Sequence, residues 1–266
     1  MKAKIQKLCR LIWTFKQPLT HKPAVQSAPV SDLFVWRCSP DWDTFFELIN
    51  LPALFEDGSE VAPHMAKVVF FNTAGRRIVQ KEILLAPNKR QTLRLSEVIG
   101  VSHGEMGTFA VFHTVTPEKI SSLGSFITER GYLSYQYRNA PLRAYVHGNL
   151  DAVALMPDTE IQMLGGHSLL KRNYFLQHRL EQDNSYELIL VNPTASKQEV
   201  RIKLMSLDNQ ILHSEIAQLE SSGCSAFNLA LSGKHPLAKV VVESKMVMAR
   251  PVVFTINEGA IDVFHG

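Results

Sequence analysis

From Asp32 onward, apolar and polar residues alternate with a period of two, and turn-forming residues interrupt the alternation at short, regular intervals. This pattern is typical of antiparallel β-sandwiches, because successive side chains of a strand point to opposite faces of its sheet. The predicted strands are Asp32–Arg37, Phe45–Leu51, Lys67–Asn72, Ile78–Leu85, Gln91–Leu95, Thr108–Thr114, Tyr186–Asn192, Glu199–Leu207, Ile211–Leu219, Ser225–Leu229 and Ala238–Glu243.

The second half of this series resembles the first. Phe46–Ile49 matches Tyr186–Ile189, and an ungapped shift of 134 residues then superposes the hairpins that follow. Under that shift Gly75 falls on Asn209, and both residue types favour the left-handed backbone of a tight turn. Agreement of the alternation and of the turns favours an internal duplication over chance similarity.

Both halves also end on the same letters, an apolar residue followed by His-Gly, at His147-Gly148 and at His265-Gly266. We therefore predict an all-β protein made of two tandem antiparallel β-sandwich units of immunoglobulin-like proportions. The predicted divisions are a tail and linker over residues 1–30, a first unit over residues 31–150 and a second unit over residues 151–266.

Helical spacing is confined to three segments. Residues 1–17 place apolar side chains at intervals of three and four among basic ones, which predicts an amphipathic helix that ends before Pro18. In the body, Pro117–Arg130 has a helical apolar spacing with Gly131 as its stop, and Ser168–Gln177 is a second, shorter candidate. The basic amphipathic tail is suited either to an anionic membrane surface or to docking on protein.

Charge and cysteine content narrow the function classes. Residues 1–23 contain six lysines and arginines and no acid, so the rest of the chain holds 22 of the 28 basic side chains against all 25 acidic ones. A mildly acidic body is a poor partner for nucleic acid. Three scattered cysteines suggest neither a disulfide framework nor a cysteine-rich zinc site, and we expect a cytoplasmic protein, peripheral at a membrane surface if the tail binds lipid.

Two short motifs resemble catalytic signatures but stand in the wrong context. Gly100–Gly104 fits the G-x-S-x-G pattern of a hydrolase nucleophile elbow, yet it leads into a strand pattern rather than a helix. Asp41-Trp42-Asp43 resembles the D-x-D by which many glycosyltransferases hold a metal and a nucleotide sugar, but no nucleotide-binding α/β pattern surrounds it. We therefore interpret both as loops.

Three histidines stand beside glycine in loop-like settings: His147, His167 and His265. If the two units meet, these imidazoles can ligate a transition metal or act as acid and base near neutral pH. The alternative is structural, with glycine making a turn and histidine capping a strand end through a backbone hydrogen bond. No close spacing of histidines in the sequence decides between the two.

A tyrosine-rich hairpin at residues 132–149 is the other candidate surface. Flat aromatic rings fit the apolar faces of pyranoses, and neighbouring amide and guanidinium groups can bind sugar hydroxyls. The competing interpretation is that the tyrosines pack the core or the junction of the units. The candidate ligand-binding residues are Tyr135, Tyr137, Asn139, Arg143, Tyr145, His147 and Asn149.

From these patterns we expect a non-catalytic binding or assembly module, with a glycan or glycoconjugate as the first candidate ligand. Partners other than a glycan are a second protein, a second copy of the chain or an anionic membrane bound through residues 1–23; no cofactor is identified. One alternative is an enzyme with a histidine-centred, metal-dependent site at the junction of the units. The other is a structural or dimerisation protein at a membrane surface.

Overall fold

The computed structural model describes residues 19–56, 62–87, 89–100, 104–138, 140–148, 150–231, 235–247, 251–257 and 260–265. Most of these residues lie in strands, as the alternation predicts. The strands are β1 (Val30–Ser31), β2 (Phe34–Arg37), β3 (Trp42–Ile49), β4 (His64–Asn72), β5 (Arg77–Leu85), β6 (Arg90–Arg94), β7 (Met106–His113), β8 (Thr128–Glu129), β9 (Tyr132–Tyr137), β10 (Ala144–His147), β11 (Val153–Leu155), β12 (Ile161–Met163), β13 (His167–Phe175), β14 (Leu180–Glu181), β15 (Ser185–Val191), β16 (Gln198–Ser206), β17 (Ile211–Leu219), β18 (Cys224–Leu229), β19 (Leu237–Met246), β20 (Val252–Asn257) and β21 (Ala260–His265).

The strands form five small sheets. Sheet 1 has the order β12-β11-β1-β8, sheet 2 the order β2-β7-β4-β5 and sheet 3 the order β10-β9-β3-β6. Sheet 4 has the order β13-β19-β16-β17, with β14 also paired to β19, and sheet 5 the order β18-β15-β20-β21. Sheet 1 combines strands from both sides of residue 150, the boundary that the sequence suggests between the units.

Sheets 1 and 2 share one buried cluster, sheets 2, 3 and 5 a second and sheets 4 and 5 a third, in a ring-like arrangement that resembles the blades of a propeller. Sheet 2 packs on sheet 3 around Phe46, Phe70 and Phe109, and sheet 4 packs on sheet 5 around Leu188 and Phe227. The core of the first pair also contains side chains of sheet 5: Ile189, Cys224, Phe254 and Val263. The all-β class is confirmed, but the chain is not clearly divided into two separate sandwiches.

The same strand order recurs in both halves of the chain. In the pairing of β4 with β5, His64 lies opposite Leu85 and the register shifts after Phe70. In the pairing of β16 with β17, Gln198 lies opposite Leu219 and the register shifts after Leu204. These positions agree with the predicted shift of 134 residues. The turns agree as well, since Gly75 and Asn209 both have a φ angle of +72°.

The predicted match of Phe46–Ile49 with Tyr186–Ile189 is wrong by two residues. Phe46 pairs with Leu93, and Leu188 pairs with Phe227, the residue 134 positions after Leu93, so Phe46 corresponds to Leu188 instead. The corrected register superposes two buried asparagines, Asn50 and Asn192, whose side-chain amides donate to the carbonyl oxygens of Leu85 and Leu219. In the first half, this bond joins the end of β3 in sheet 3 to β5 in sheet 2. In the second half, it joins the end of β15 in sheet 5 to β17 in sheet 4.

Both helices predicted in the body are wrong in extent or type. The described residues contain α1 (Leu95–Ile99), α2 (Glu118–Ser121) and a 3-10 turn (Pro52–Phe55). Helix α2 stops early because Gly124 adopts a left-handed φ of +65° and the chain then extends into β8. Residues 168–175 belong to β13, where pairing with β19 overrides the helical spacing of the leucines.

The predicted amphipathic helix lies outside the described residues. Where the description begins, the chain is attached to the body, since Gly166 donates its backbone N–H to the carbonyl of Leu19 and His21 donates to Leu164. No helix among the described residues has the length and apolar content to cross a membrane.

Candidate functional site

Strand β9 presents two different faces. Leu133, Tyr135 and Tyr137 point into the core; Tyr135 is fully buried, and its hydroxyl donates to the carbonyl oxygen of Val35 at 2.9 Å. Burial raises the pKa of Tyr135 further above its ordinary value. Tyr137 packs against Trp42 with ring centroids 4.8 Å apart. The buried ring of Tyr135 is therefore closed to a ligand, and the structural interpretation applies to this residue.

The opposite face of the same strand carries the exposed aromatic rings. Tyr132 is 60% exposed, and Tyr145, on the adjacent strand β10, is 55% exposed. Tyr132 pairs with His147, with ring centroids 6.4 Å apart, and Tyr145 pairs with Ser134. We call this surface the outer face of sheet 3. It comprises Asp43, Phe45, Glu47, Arg90, Thr92, Arg94, Tyr132, Ser134, Gln136, Arg143, Tyr145 and His147.

A stacked guanidinium lies in the middle of the outer face of sheet 3. The Cζ atom of Arg143 is 3.6 Å from the ring centroid of Phe45, so this ring is covered although it points away from the core. Ser134 pairs with Phe45 on one side and with Tyr145 on the other. Arg143, Tyr145 and His147 were predicted from the sequence, whereas Phe45, Tyr132 and Ser134 were missed.

A cleft of about 550 Å³ adjoins the charged end of this face. Its lining includes Asp41 and Asp43 of the D-x-D motif and Gly100 and Gly104 of the G-x-S-x-G motif. Ser102 lies outside the described residues. The Asp43 carboxylate accepts hydrogen bonds from Arg94 and Ser96, and Asp41 lies 3.4 Å from the Arg138 guanidinium. These carboxylates are already neutralised by arginines, which disfavours their use as metal ligands.

Two of the three predicted histidines meet at the junction of the halves. His147 and His265 end β10 and β21, and their ring centroids are 5.5 Å apart. One ring nitrogen of His265 is hydrogen-bonded to the carbonyl oxygen of His147, and Nδ1 of His147 to that of Gly148. His167 begins β13 opposite Met246, which lines a cavity of about 60 Å³ together with both other histidines.

The part of the chain that the structure describes contains no group of three or more His, Cys, Asp or Glu side chains arranged to hold a metal ion. A metal site at His147, His167 and His265 stays a prediction. Asn139 and Asn149, the two amides of the predicted sugar site, lie outside the described residues.

A largely buried ion pair joins the two halves of the chain at their junction. Arg37 of β2 binds Glu187 of β15, with side-chain exposures of 12% and 15%. The guanidinium of Arg37 stacks 3.8 Å from the centroid of Trp42 and 4.8 Å from that of Phe254. Burial lowers the pKa of Arg37, and Glu187 opposes this effect. Sheet 5 is thereby held against sheets 2 and 3.

The face of sheet 5 that enters this junction is the counterpart of the outer face of sheet 3. The matching registers of the two sheets show this correspondence directly. This face is therefore packed into the junction in the second half, whereas in the first half it carries the exposed rings of Tyr132 and Tyr145. The corresponding residues are Val252 for Tyr132, Phe254 for Ser134, Val263 for Tyr145, Ile261 for Arg143, Glu187 for Phe45 and His265 for His147.

No protein-family model matches the chain, and no curated protein matches it. Solved structures give weak similarities. A β-glucuronidase from glycoside hydrolase family 2 has a TM-score of 0.15 and 8% identity over 87% of this chain and 23% of its own. The VP2 subviral particle of infectious bursal disease virus has a TM-score of 0.19 and 10% identity over 85% and 59%.

The CupB6 tip adhesin from Pseudomonas aeruginosa has a TM-score of 0.14 and 8% identity over 94% of both chains. The chain spans less than two thirds of the glucuronidase and of the capsid protein. At these TM-scores the similarities carry no argument about fold or function.

Proposed function

We propose that the chain consists of two copies of one immunoglobulin-like sandwich unit, docked on each other after an internal duplication. Support comes from the repeated strand order and registers, the shared turn geometry of Gly75 and Asn209, and the paired bonds of Asn50 and Asn192. Chance similarity of two sandwiches does not require the same register shift in the same hairpin.

We further propose that the protein is a non-catalytic binding module that recognises a glycan or glycoconjugate on the outer face of sheet 3. The observation that carries this proposal is the contrast between the halves. The same face is an apolar docking surface in sheet 5 but bears exposed tyrosines, a histidine and a stacked arginine in sheet 3.

The chemistry of this face suits a sugar better than an apolar partner. Tyr132 and Tyr145 occupy diagonal positions of an antiparallel pair, which places their Cα atoms about 7–8 Å apart. Two such rings can stack on neighbouring units of one oligosaccharide, while Arg143 offers donors to its hydroxyls. The cleft beside Asp43 and Arg94 continues the same surface and can accept a further unit.

Replacing either exposed tyrosine is expected to weaken glycan binding. Tyr132→Ala and Tyr145→Ala should each cost about 1–2 kcal/mol of binding free energy, a loss of roughly five- to thirty-fold, because each removes one stacking ring. Isothermal titration with a glycan that a printed array identifies measures the effect. Phe175→Ala is the matched control, since Phe175 is 64% exposed on β13 of the second half.

Loss of affinity in the Phe175 variant alone, or equal affinity in all variants, would place the ligand elsewhere. A protein that binds no glycan on the array contradicts the proposed ligand class. Thermal unfolding of each variant separates a loss of binding from a loss of folding, and these exposed positions should leave the unfolding temperature unchanged.

A second candidate function is favoured by the 5.5 Å separation of the His147 and His265 rings. Two imidazoles at this distance can share a transition metal, since nitrogen–metal bonds are about 2 Å long. On this alternative the protein, purified without chelator, carries about one metal ion per chain. His147→Ala and His265→Ala each remove it, and His167→Ala does so if His167 is a third ligand. A native preparation without stoichiometric metal rejects the metal-dependent alternative.

A further inference from the structure

The outer face of sheet 3 carries three arginines but only two carboxylates. Arg90 lies 3.2 Å from the Glu47 carboxylate, and Arg94 lies 2.5 Å from that of Asp43. Each acid on this face therefore has an arginine of its own. Arg143 is the third arginine and has no acidic partner among the described residues.

Arg143 is held in place without using its hydrogen-bonding capacity. Its guanidinium stacks on the ring of Phe45, a contact made through the face of the planar group. The N–H donors point out from the edge of that plane, and within the described part of the chain none of them donates a hydrogen bond. A positioned guanidinium with free donors is suited to bidentate binding of an oxyanion.

A second, independent feature lies beside it. Ser134 is fully buried between Phe45 and Tyr145, and its Oγ atom has no hydrogen-bond partner in the described structure. Buried hydroxyls without a partner are uncommon, because leaving one unpaired costs free energy. The contact of Arg143 with Phe45 thus passes over a strand whose central hydroxyl, at Ser134, is closed to solvent.

We propose that the glycan recognised by this face carries an acidic group, a carboxylate or a sulfate, which binds the Arg143 guanidinium. The inference rests on the proposed glycan-binding function and names the ligand class within it. The lack of any acidic side chain on the outer face of β9 or β10 agrees with an anionic ligand.

The test compares glycans that differ only in charge. An array with carboxylated oligosaccharides, their methyl esters, sulfated oligosaccharides and their desulfated forms separates the two sources of the anion. We expect binding to one acidic class and a roughly ten- to hundred-fold weaker affinity for its uncharged counterpart, the effect of one charge-assisted hydrogen-bonded contact. Raising the salt concentration should also weaken binding.

Variants assign the effect to Arg143. Arg143→Gln should lower affinity for the acidic glycan by the same factor and affinity for the neutral counterpart much less, because a neutral glycan loses only uncharged hydrogen bonds. Arg143→Lys should retain part of the preference, because it keeps the charge but loses the planar fork. Arg77→Gln is the matched control, since Arg77 is an exposed arginine on β5 in sheet 2.

Equal binding of acidic and neutral forms, still reduced by Tyr145→Ala, overturns the acidic ligand and leaves the proposed function standing. An acidic preference that survives Arg143→Gln overturns the assignment to this residue. Absence of binding to every member of the array contradicts both the inference and the proposed function.

Discussion

Gly75→Asn is expected to destabilise the protein by about 3 kcal/mol, although asparagine occupies the equivalent turn position in the second half. A Cβ atom at Gly75 would stand 1.9 Å from the backbone oxygen of Ser221 and 3.0 Å from the nitrogen of Gly223. The β4–β5 turn would have to separate from the β17–β18 turn, which Cys224 joins to Thr73 by a backbone hydrogen bond of 3.1 Å. Denaturant unfolding of both proteins measures the loss.

The reciprocal change should be mild. Asn209→Gly keeps a residue suited to positive φ and removes only the hydrogen bond from Lys239, so its cost should stay below about 1 kcal/mol. Equally small losses for Gly75→Asn and Asn209→Gly would show that the two turns do not meet as described.

Arg37→Ala is expected to cost about 3–5 kcal/mol of stability, because it leaves the Glu187 carboxylate largely buried without its partner. The substitution also removes the guanidinium that stacks on Trp42 and Phe254. Urea unfolding followed by the fluorescence of the three tryptophans measures the loss of stability.

The double variant Arg37→Met with Glu187→Gln should recover much of the loss, since it removes both charges from the junction and keeps apolar packing. Lys197→Ala is the matched control: its partner is Glu220, the side chains are 53% and 47% exposed, and the loss should be below about 1 kcal/mol. If Arg37→Ala and Lys197→Ala cost the same, the ion pair is not buried at a junction between the halves.

Much of the architecture follows from local rules in the sequence. Each predicted strand has a counterpart in the structure, because alternation fixes which residues can share a sheet face. The match of Gly75 with Asn209 was predictable because few residues adopt positive φ. The signal for the corrected β3–β15 match was also present, as Leu-Ile-Asn at residues 48–50 and Leu-Val-Asn at residues 190–192.

Other features depend on pairing with distant residues. Residues 168–175 form a strand despite their helical apolar spacing, because β19 supplies backbone hydrogen bonds to β13. The docking of sheet 5 on sheets 2 and 3 likewise depends on contacts between residues far apart in the sequence. Once the registers are known, the composition of this face does distinguish the halves, since Val252, Phe254 and Val263 are apolar and correspond to Tyr132, Ser134 and Tyr145.

The sequence predicts part of the candidate face. The hairpin from Tyr132 to His147 was predicted as the aromatic surface, but with Tyr135 and Tyr137 as the exposed rings. The face that carries Leu133 is the more apolar one and so points inward, while Tyr132 shares its face with Ser134 and Gln136. Phe45 was not predictable as part of the site, because its contact with Arg143 joins strands that are not neighbours.

The most direct test of the binding face is an amide chemical-shift map of the protein, recorded by NMR during titration with a glycan that the array identifies. We predict that the shifts concentrate on β9 and β10, at Tyr132, Ser134 and Tyr145, and extend to Asp43 and Arg94 at the cleft. Shifts confined to sheet 4 or sheet 5, with the outer face of sheet 3 unaffected, would contradict the account.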